Sequence, residues 1–206
     1  MIRTMSMTAT VGAVEHGNAM ELVTLAVPAR LLDRRRIDLT TGLPTQPYHH
    51  EGASAVGRYL ESPWARPTTL PEALEVIATV TAAAAVGARD SLARLASSLP
   101  TPIGTIAIRA CPPLPESVEA RVRDNRVQVI ADSVMYRLAL ANAAEERGWT
   151  VVWYDRDRVH ADAARRLGEP DIDAVLNAMG RTAGPPWQAR HKLAAAAAIA
   201  AAPTDA

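Results

Sequence analysis

Two short apolar runs, Ile103-Gly-Thr-Ile-Ala-Ile108 and Thr150-Val-Val-Trp-Tyr154, stand either side of one long helical segment, and this spacing constrains the fold more than any other feature. Neither run contains a charge, which fits strands covered on both faces. The segment between them opens at Pro112-Pro113-Leu114-Pro115, with Pro115 and Glu116 in its first turn. Its apolar stripe, Val127, Ile130, Val134, Leu138 and Ala141, recurs at helical spacing, and Gly148 supplies a C′ stop. Strand, long helix and strand make a βαβ unit, which joins adjacent parallel strands.

The flanking sequence extends this core. Glu21 to Val27 reads as a first strand ended by Pro28, and Arg34 to Thr40 as a second, followed by a turn at Thr41-Gly42. Leu43 to Pro71 holds five prolines together with Tyr48, His49, His50 and Trp64, and reads as a long irregular insertion with a short helix or edge strand near Ala53 to Leu60. A helix then starts at Thr69, with Pro71 and Glu72 in its first turn and a possible break at Gly87. After the βαβ unit come helices from about Val159 to Leu167, from Asp171 to near Gly180, and from Gln188 to Ala201, the last rich in alanine.

At 206 residues the chain can bury a core that needs neither disulfide nor metal. Its formal net charge of zero excludes gross electrostatic attraction to nucleic acid or anionic membrane. Of 22 basic residues only Lys192 is lysine, and phenylalanine is absent, the codon signature of a GC-rich genome. Cys111 is the single cysteine and demands no oxidising compartment. Residues 1–20 carry one cation, Arg3, and no continuous apolar run, so they make a poor signal peptide. Met5, Met7 and Met20 are each possible starts. Residues 1–20 are therefore expected to be a disordered leader, and 21–206 one α/β domain with a proline-rich insertion at 43–71. Ala82 to Val86 and Ala194 to Ala202 are too short to span a bilayer. A cytoplasmic protein without a membrane partner is expected, and no cofactor fingerprint is present.

A meander of N-terminal strands, then helix, strand, helix and strand, then an alanine-rich terminal helix resembles the ribonuclease H-like fold, in particular its Holliday-junction-resolvase, RuvC-like branch. The resemblance runs from Glu21 to Ala201. It implies a mixed sheet with antiparallel N-terminal strands, a βαβ core and flanking helices. It also implies nuclease carboxylates that clamp two divalent metals. An aspartate is implied in the first strand, where Leu22-Val-Thr-Leu-Ala-Val27 has none. A glutamate is implied after Ile106-Ala107-Ile108, where Arg109 stands. Aspartates are implied in the terminal helix, where Arg190-His191-Lys192 is the nearest match. Cations at such positions repel a metal ion.

Three functional readings follow. The first is a non-catalytic, nucleic-acid-associated or scaffolding domain. Arg109, Arg121, Arg123 and Arg126 cluster near the loop after the central strand, at the carboxyl end where ligands of open α/β sheets bind, and arginine forks suit phosphate. Glu116, Glu119 and Asp124 alternate with them, so ordinary ion pairing on a helix face explains them equally. Asn125, Gln128, Asp132 and Tyr136 form a polar line that either grips a partner, with Tyr136 as a binding residue, or is a solvated face. The second reading is a metal-dependent nuclease in which Asp132, Asp155 and Glu116 converge on one ion. The third is a protein-interaction module using the alanine-rich helix and the proline-rich loop. Arg34 to Arg36 suit either a phosphate backbone or a charged edge strand. His49-His50-Glu51 lacks further ligands at metal spacing, so no metal is assigned. The partner is nucleic acid or another protein, and the oligomeric state is left open.

Overall fold

A computed structural model describes residues 8–61, 63 and 66–203. Five strands form one mixed sheet in the order β3-β2-β1-β4-β5. They are β1 (Ala9–His16), β2 (Ala19–Ala26), β3 (Arg30–Asp38), β4 (Ile103–Arg109) and β5 (Thr150–Tyr154). The first three run antiparallel, while β1, β4 and β5 are mutually parallel, with Thr105 opposite Thr150 and Ile108 opposite Trp153. The βαβ reading holds: β4 and β5 are adjacent and parallel.

The leader does not. Residues 9–16 form the central strand, bonded to β2 on one side and β4 on the other. Ala9 through Val14 are all buried. Small residues (Ala-Thr-Val-Gly-Ala-Val) give this strand little hydrophobic signal, and the competing start codons obscured it further. The part of the expected leader before Thr8, and Trp64 of the insertion, lie outside the described residues.

One face of the sheet is covered by α2 (Leu70–Ser97) and α4 (Gln128–Glu146), which close on Val11, Ala13, Ile106 and Ile108. Thr69 and Glu72 make a capping box that starts α2: the Glu72 carboxylate accepts the Thr69 N–H at 2.7 Å. The helix runs unbroken through Gly87, because the missing Cβ there lets it lie against the Leu39 carbonyl. By length and composition α2 would satisfy a membrane span, but Ile77, Val80, Leu92 and Leu95 bury into this core.

The helix expected from Pro115 to Gly148 is two. Ser117 caps α3 (Val118–Arg123), the chain bends at Asp124, and α4 follows. Val134 and Ala141 are buried as expected, but Ile130 and Leu138 are 40% and 41% exposed. The polar line has taken the inner position instead. Gln128 donates to the Val122 carbonyl at 2.6 Å, the Asp132 carboxylate accepts the Tyr48 and His49 N–H groups at 2.9 and 3.0 Å, and the Tyr136 hydroxyl donates to the Thr45 carbonyl at 3.0 Å. Asp132 and Tyr136 clasp the proline-rich segment, which forms a π-helical turn at Tyr48–Gly52 and a short helix α1 (Ala53–Ala55), while Gln128 ties α4 to α3. A polar stripe at helical spacing fits a buried contact as well as a solvated face when its members find partners, as the Gln128 amide N–H, Asp132 and Tyr136 do here, while the Gln128 Oε1 is buried without one among the described residues.

The opposite face carries α5 (Val159–Leu167), α6 (Ile172–Ala183) and α7 (Ala189–Ala201). Ala194 to Ile199 are fully buried. Small side chains let the α7 backbone settle onto β1, and Gly12 completes the fit: a Cβ there would lie 1.8 Å from the Ala194 carbonyl oxygen. The interaction surface expected of this alanine tract is therefore spent on the core. Arg34 donates to the Gly184 and Pro186 carbonyls, Arg35 pairs with Asp33, and Arg36 pairs with Asp38. Arg34 thus ties β3 to the loop before α7 and Arg35 reaches Ser98 at the end of α2, while the Arg36–Asp38 pair lies along β3 itself.

Candidate functional site

The carboxyl ends of β1, β4 and β5 meet the first turn of α7 and the middle of α4. Glu15, next to last in β1, projects among them. Its carboxylate takes a hydrogen-bonded ion pair from the Arg137 guanidinium on α4 and lies 3.5 Å from that of Arg109 at the end of β4. Arg137 is 4% exposed, and its other fork nitrogen donates to the Ala110 carbonyl at 3.1 Å. A buried arginine needs such compensation, because an unpaired charge out of water costs several kcal/mol. The Arg137 Nε remains buried without a partner among the described residues. Tyr154 closes the floor: its hydroxyl donates to the Ala13 carbonyl at 3.1 Å, and burial first, then the nearby Glu15 charge, pushes its pKa well up.

Two clefts open from this floor and share Arg109, Tyr154 and Arg156. On the α4 side a groove of 510 Å³ is lined by Cys111, Ser133, Arg137, Asp155 and Asp157 as well. On the α7 side a cavity of 170 Å³ adds Glu15 and Arg190. Burial raises the Cys111 thiol pKa despite the neighbouring Arg137, so the thiol stays protonated. Arg156 stands in the turn that follows β5. There Asp155 accepts the Asp157 N–H at 2.9 Å, so its carboxylate serves as a turn cap.

The residues singled out in the sequence separate. Arg109 lies in both clefts. Arg121 donates to the Pro115 and Glu116 carbonyls, Arg123 pairs with Glu119 at 2.7 Å, and Arg126 is exposed beyond the α3–α4 bend. Tyr136 and Asp132 belong to the buried clasp. Asp155 borders the α4-side groove, while Glu116 is exposed in the loop before α3. Asp132, Asp155 and Glu116 are not brought together: among the described residues no group of three or more His, Cys, Asp and Glu side chains is placed to hold a metal. The histidines of the proline-rich turn behave likewise. His49 and His50 are tilted rings 5.1 Å apart, and Glu51 pairs with Arg66 at 2.6 Å.

Sequence reasoning missed Glu15, because β1 was taken for a leader. It placed the first-strand carboxylate test on Leu22 to Val27, now seen to be β2. The first strand does carry an acid, and two arginines hold it. The signal available was the hairpin itself: the small-residue run Ala9-Thr-Val-Gly-Ala-Val14 leads through Glu15-His16 into the turn dipeptide Gly17-Asn18.

A central β1 flanked by an antiparallel pair and a parallel pair, with helices on both faces, defines a ribonuclease H-like fold. The chain resembles two solved structures of RuvC from Thermus thermophilus. One, in complex with a Holliday junction substrate, aligns with a TM-score of 0.51 at 14% identity over 94% of this chain and 91% of that one. The other, a structure of RuvC, gives a TM-score of 0.49 at 14% identity over 94% and 92%. No protein-family model and no curated protein matches the sequence.

Proposed function

We propose that this chain is a non-catalytic ribonuclease H-like domain that associates with nucleic acid through the arginine-lined clefts at the strand ends, in the cytoplasm. One observation carries the reading. Glu15, the acid at the end of the first strand, is already neutralised by Arg109 and Arg137, so it is poorly disposed to bind a cation. Arg156 and Arg190 beside it form no hydrogen bond or ion pair with any described residue, which leaves their guanidinium groups available for phosphate. The junction-bound RuvC neighbour makes nucleic acid the natural partner to test.

The metal-dependent nuclease is the weaker reading, since its three carboxylates lie on separate parts of the surface and interior. Exposed Val129, Ile130 and Leu138 on α4 favour the protein-interaction reading over the alanine helix that first suggested it.

Purified protein should not cleave DNA or RNA with Mg²⁺ or Mn²⁺. It should bind both weakly, with affinity falling as salt rises, because phosphate contacts release counterions. Arg109→Glu should weaken binding without creating a nuclease. Metal-dependent cleavage by wild type that Asp132→Asn or Asp155→Asn abolishes would overturn the proposal. Silence in both assays would leave the protein-interaction reading.

A further inference from the structure

The two clefts differ in size and in charge. The α7-side cavity, 170 Å³, is walled by guanidinium groups from three separate elements: Arg109 of β4, Arg156 of the turn after β5, and Arg190 of the first turn of α7. Glu15 is its one lining carboxylate, and Arg137 compensates that charge from behind. Arg156 and Arg190 thus contribute two positive charges with no partner among the described residues. Ala189 and Arg190, at the start of the 13-residue α7, also line the cavity. The first N–H groups of a helix lack intrahelical acceptors and carry the positive end of its dipole.

A phosphodiester in mid-chain carries one charge and must have room for the strand to enter and leave. A terminal phosphomonoester carries about −1.5 to −2 at pH 7, with three strong acceptor oxygens. The small cavity suits the second in charge and in size, having room for a phosphate head but not for nucleosides on both sides. The 510 Å³ groove beyond the shared Arg109 and Arg156 suits the chain that follows.

We propose that the α7-side cavity is a terminal-phosphate site: it seats the phosphomonoester at an end of a polynucleotide, and the strand continues across Arg109 and Arg156 into the α4-side groove. The inference rests on the nucleic-acid reading above and sharpens it from phosphate contact in general to recognition of an end.

The test compares short single-stranded DNA oligonucleotides of one sequence with a 5′-phosphate, a 3′-phosphate or hydroxyls at both ends. Each carries a fluorophore away from the tested end, and binding is read by anisotropy at fixed low salt. A phosphorylated end should bind about tenfold more tightly than the hydroxyl form, the worth of one added charge-assisted contact. Inorganic phosphate should erase the difference. The Arg156→Gln/Arg190→Gln double variant should lose the discrimination at an unchanged thermal midpoint, its binding to the hydroxyl oligonucleotide weakening by less than its binding to the phosphorylated one. Equal affinity for all three oligonucleotides in wild type would overturn the terminal-phosphate site and leave the backbone-binding reading intact. A mononucleotide that binds as tightly as the oligonucleotide would uphold the monoester site and remove the polymer from both readings. Absence of binding to every probe would remove both proposals together.

Discussion

Asp132 carries a carboxylate into the contact between α4 and the π-helical turn, where the Tyr48 and His49 N–H groups are its donors. Burial dominates over those two bonds and lifts its pKa from 3.8 to about 7. Between these values the unfolded chain has released a proton that the folded chain keeps. Its contribution to stability is therefore full below pH 3.8 and is lost as the pH rises to about 7. The whole span is worth about 4 kcal/mol. Asp132→Asn lacks this titration, so its thermal midpoint relative to wild type should be lowest near pH 4 and climb steadily toward pH 7. Parallel pH profiles for the two proteins would show that the clasp does not perturb the acid. In sequence Asp132 is a candidate metal ligand with Asp155 and Glu116, and also a member of the polar line that includes Tyr136. A helical line records only which side chains share a face, and the face here is turned toward the protein's own loop.

At the scale of elements the chain was most legible where periodicity and caps agree. Thr69 with Glu72 set the start of α2, and the Gly168 and Gly148 stops closed α5 and α4. It was least legible where small residues replace large ones. β1 and α7 bury alanine and glycine against each other, a contact that no hydrophobic peak announces, and their fit depends on backbone approach. Gly12→Ala would place a methyl group 1.8 Å from the Ala194 carbonyl oxygen, so α7 must lift from the sheet. We expect a loss of about 1–3 kcal/mol or more, the usual cost of an overpacked core, measured by urea denaturation. An unchanged denaturation midpoint would mean that α7 slides to accommodate the methyl without loss. The same mechanism explains the inverted α4: with Gln128, Asp132 and Tyr136 engaged inward, Ile130 and Leu138 are left to the surface.

For the molecule as a whole, β1 is the seam. It joins the antiparallel pair β2–β3 to the parallel pair β4–β5, and nothing else in the sheet links the two halves. A chain begun at Met20 would lack it. Such a chain should be insoluble or should show no cooperative thermal transition by circular dichroism, whereas a chain begun at Met7 keeps all of β1 and should fold. Cooperative unfolding of the Met20 form would show that β2 and β4 can pair directly. The architecture was readable because element order sets the fold whatever the individual residues: the junction-bound RuvC structure has a like fold at 14% identity. The site was not, because its charges come from five separate segments (β1, β4, α4, the turn after β5 and α7) whose meeting is a property of the fold. The Glu15–Arg137–Arg109 cluster has one more consequence. A carboxylate site completed by a metal depends on what the solution supplies, and its folding energy falls as the ion is diluted or chelated. Here the completing cations are tethered to the same chain, so their effective concentration at Glu15 is set by the backbone and is independent of dilution. Glu15 needs no ion from the solution to settle its charge.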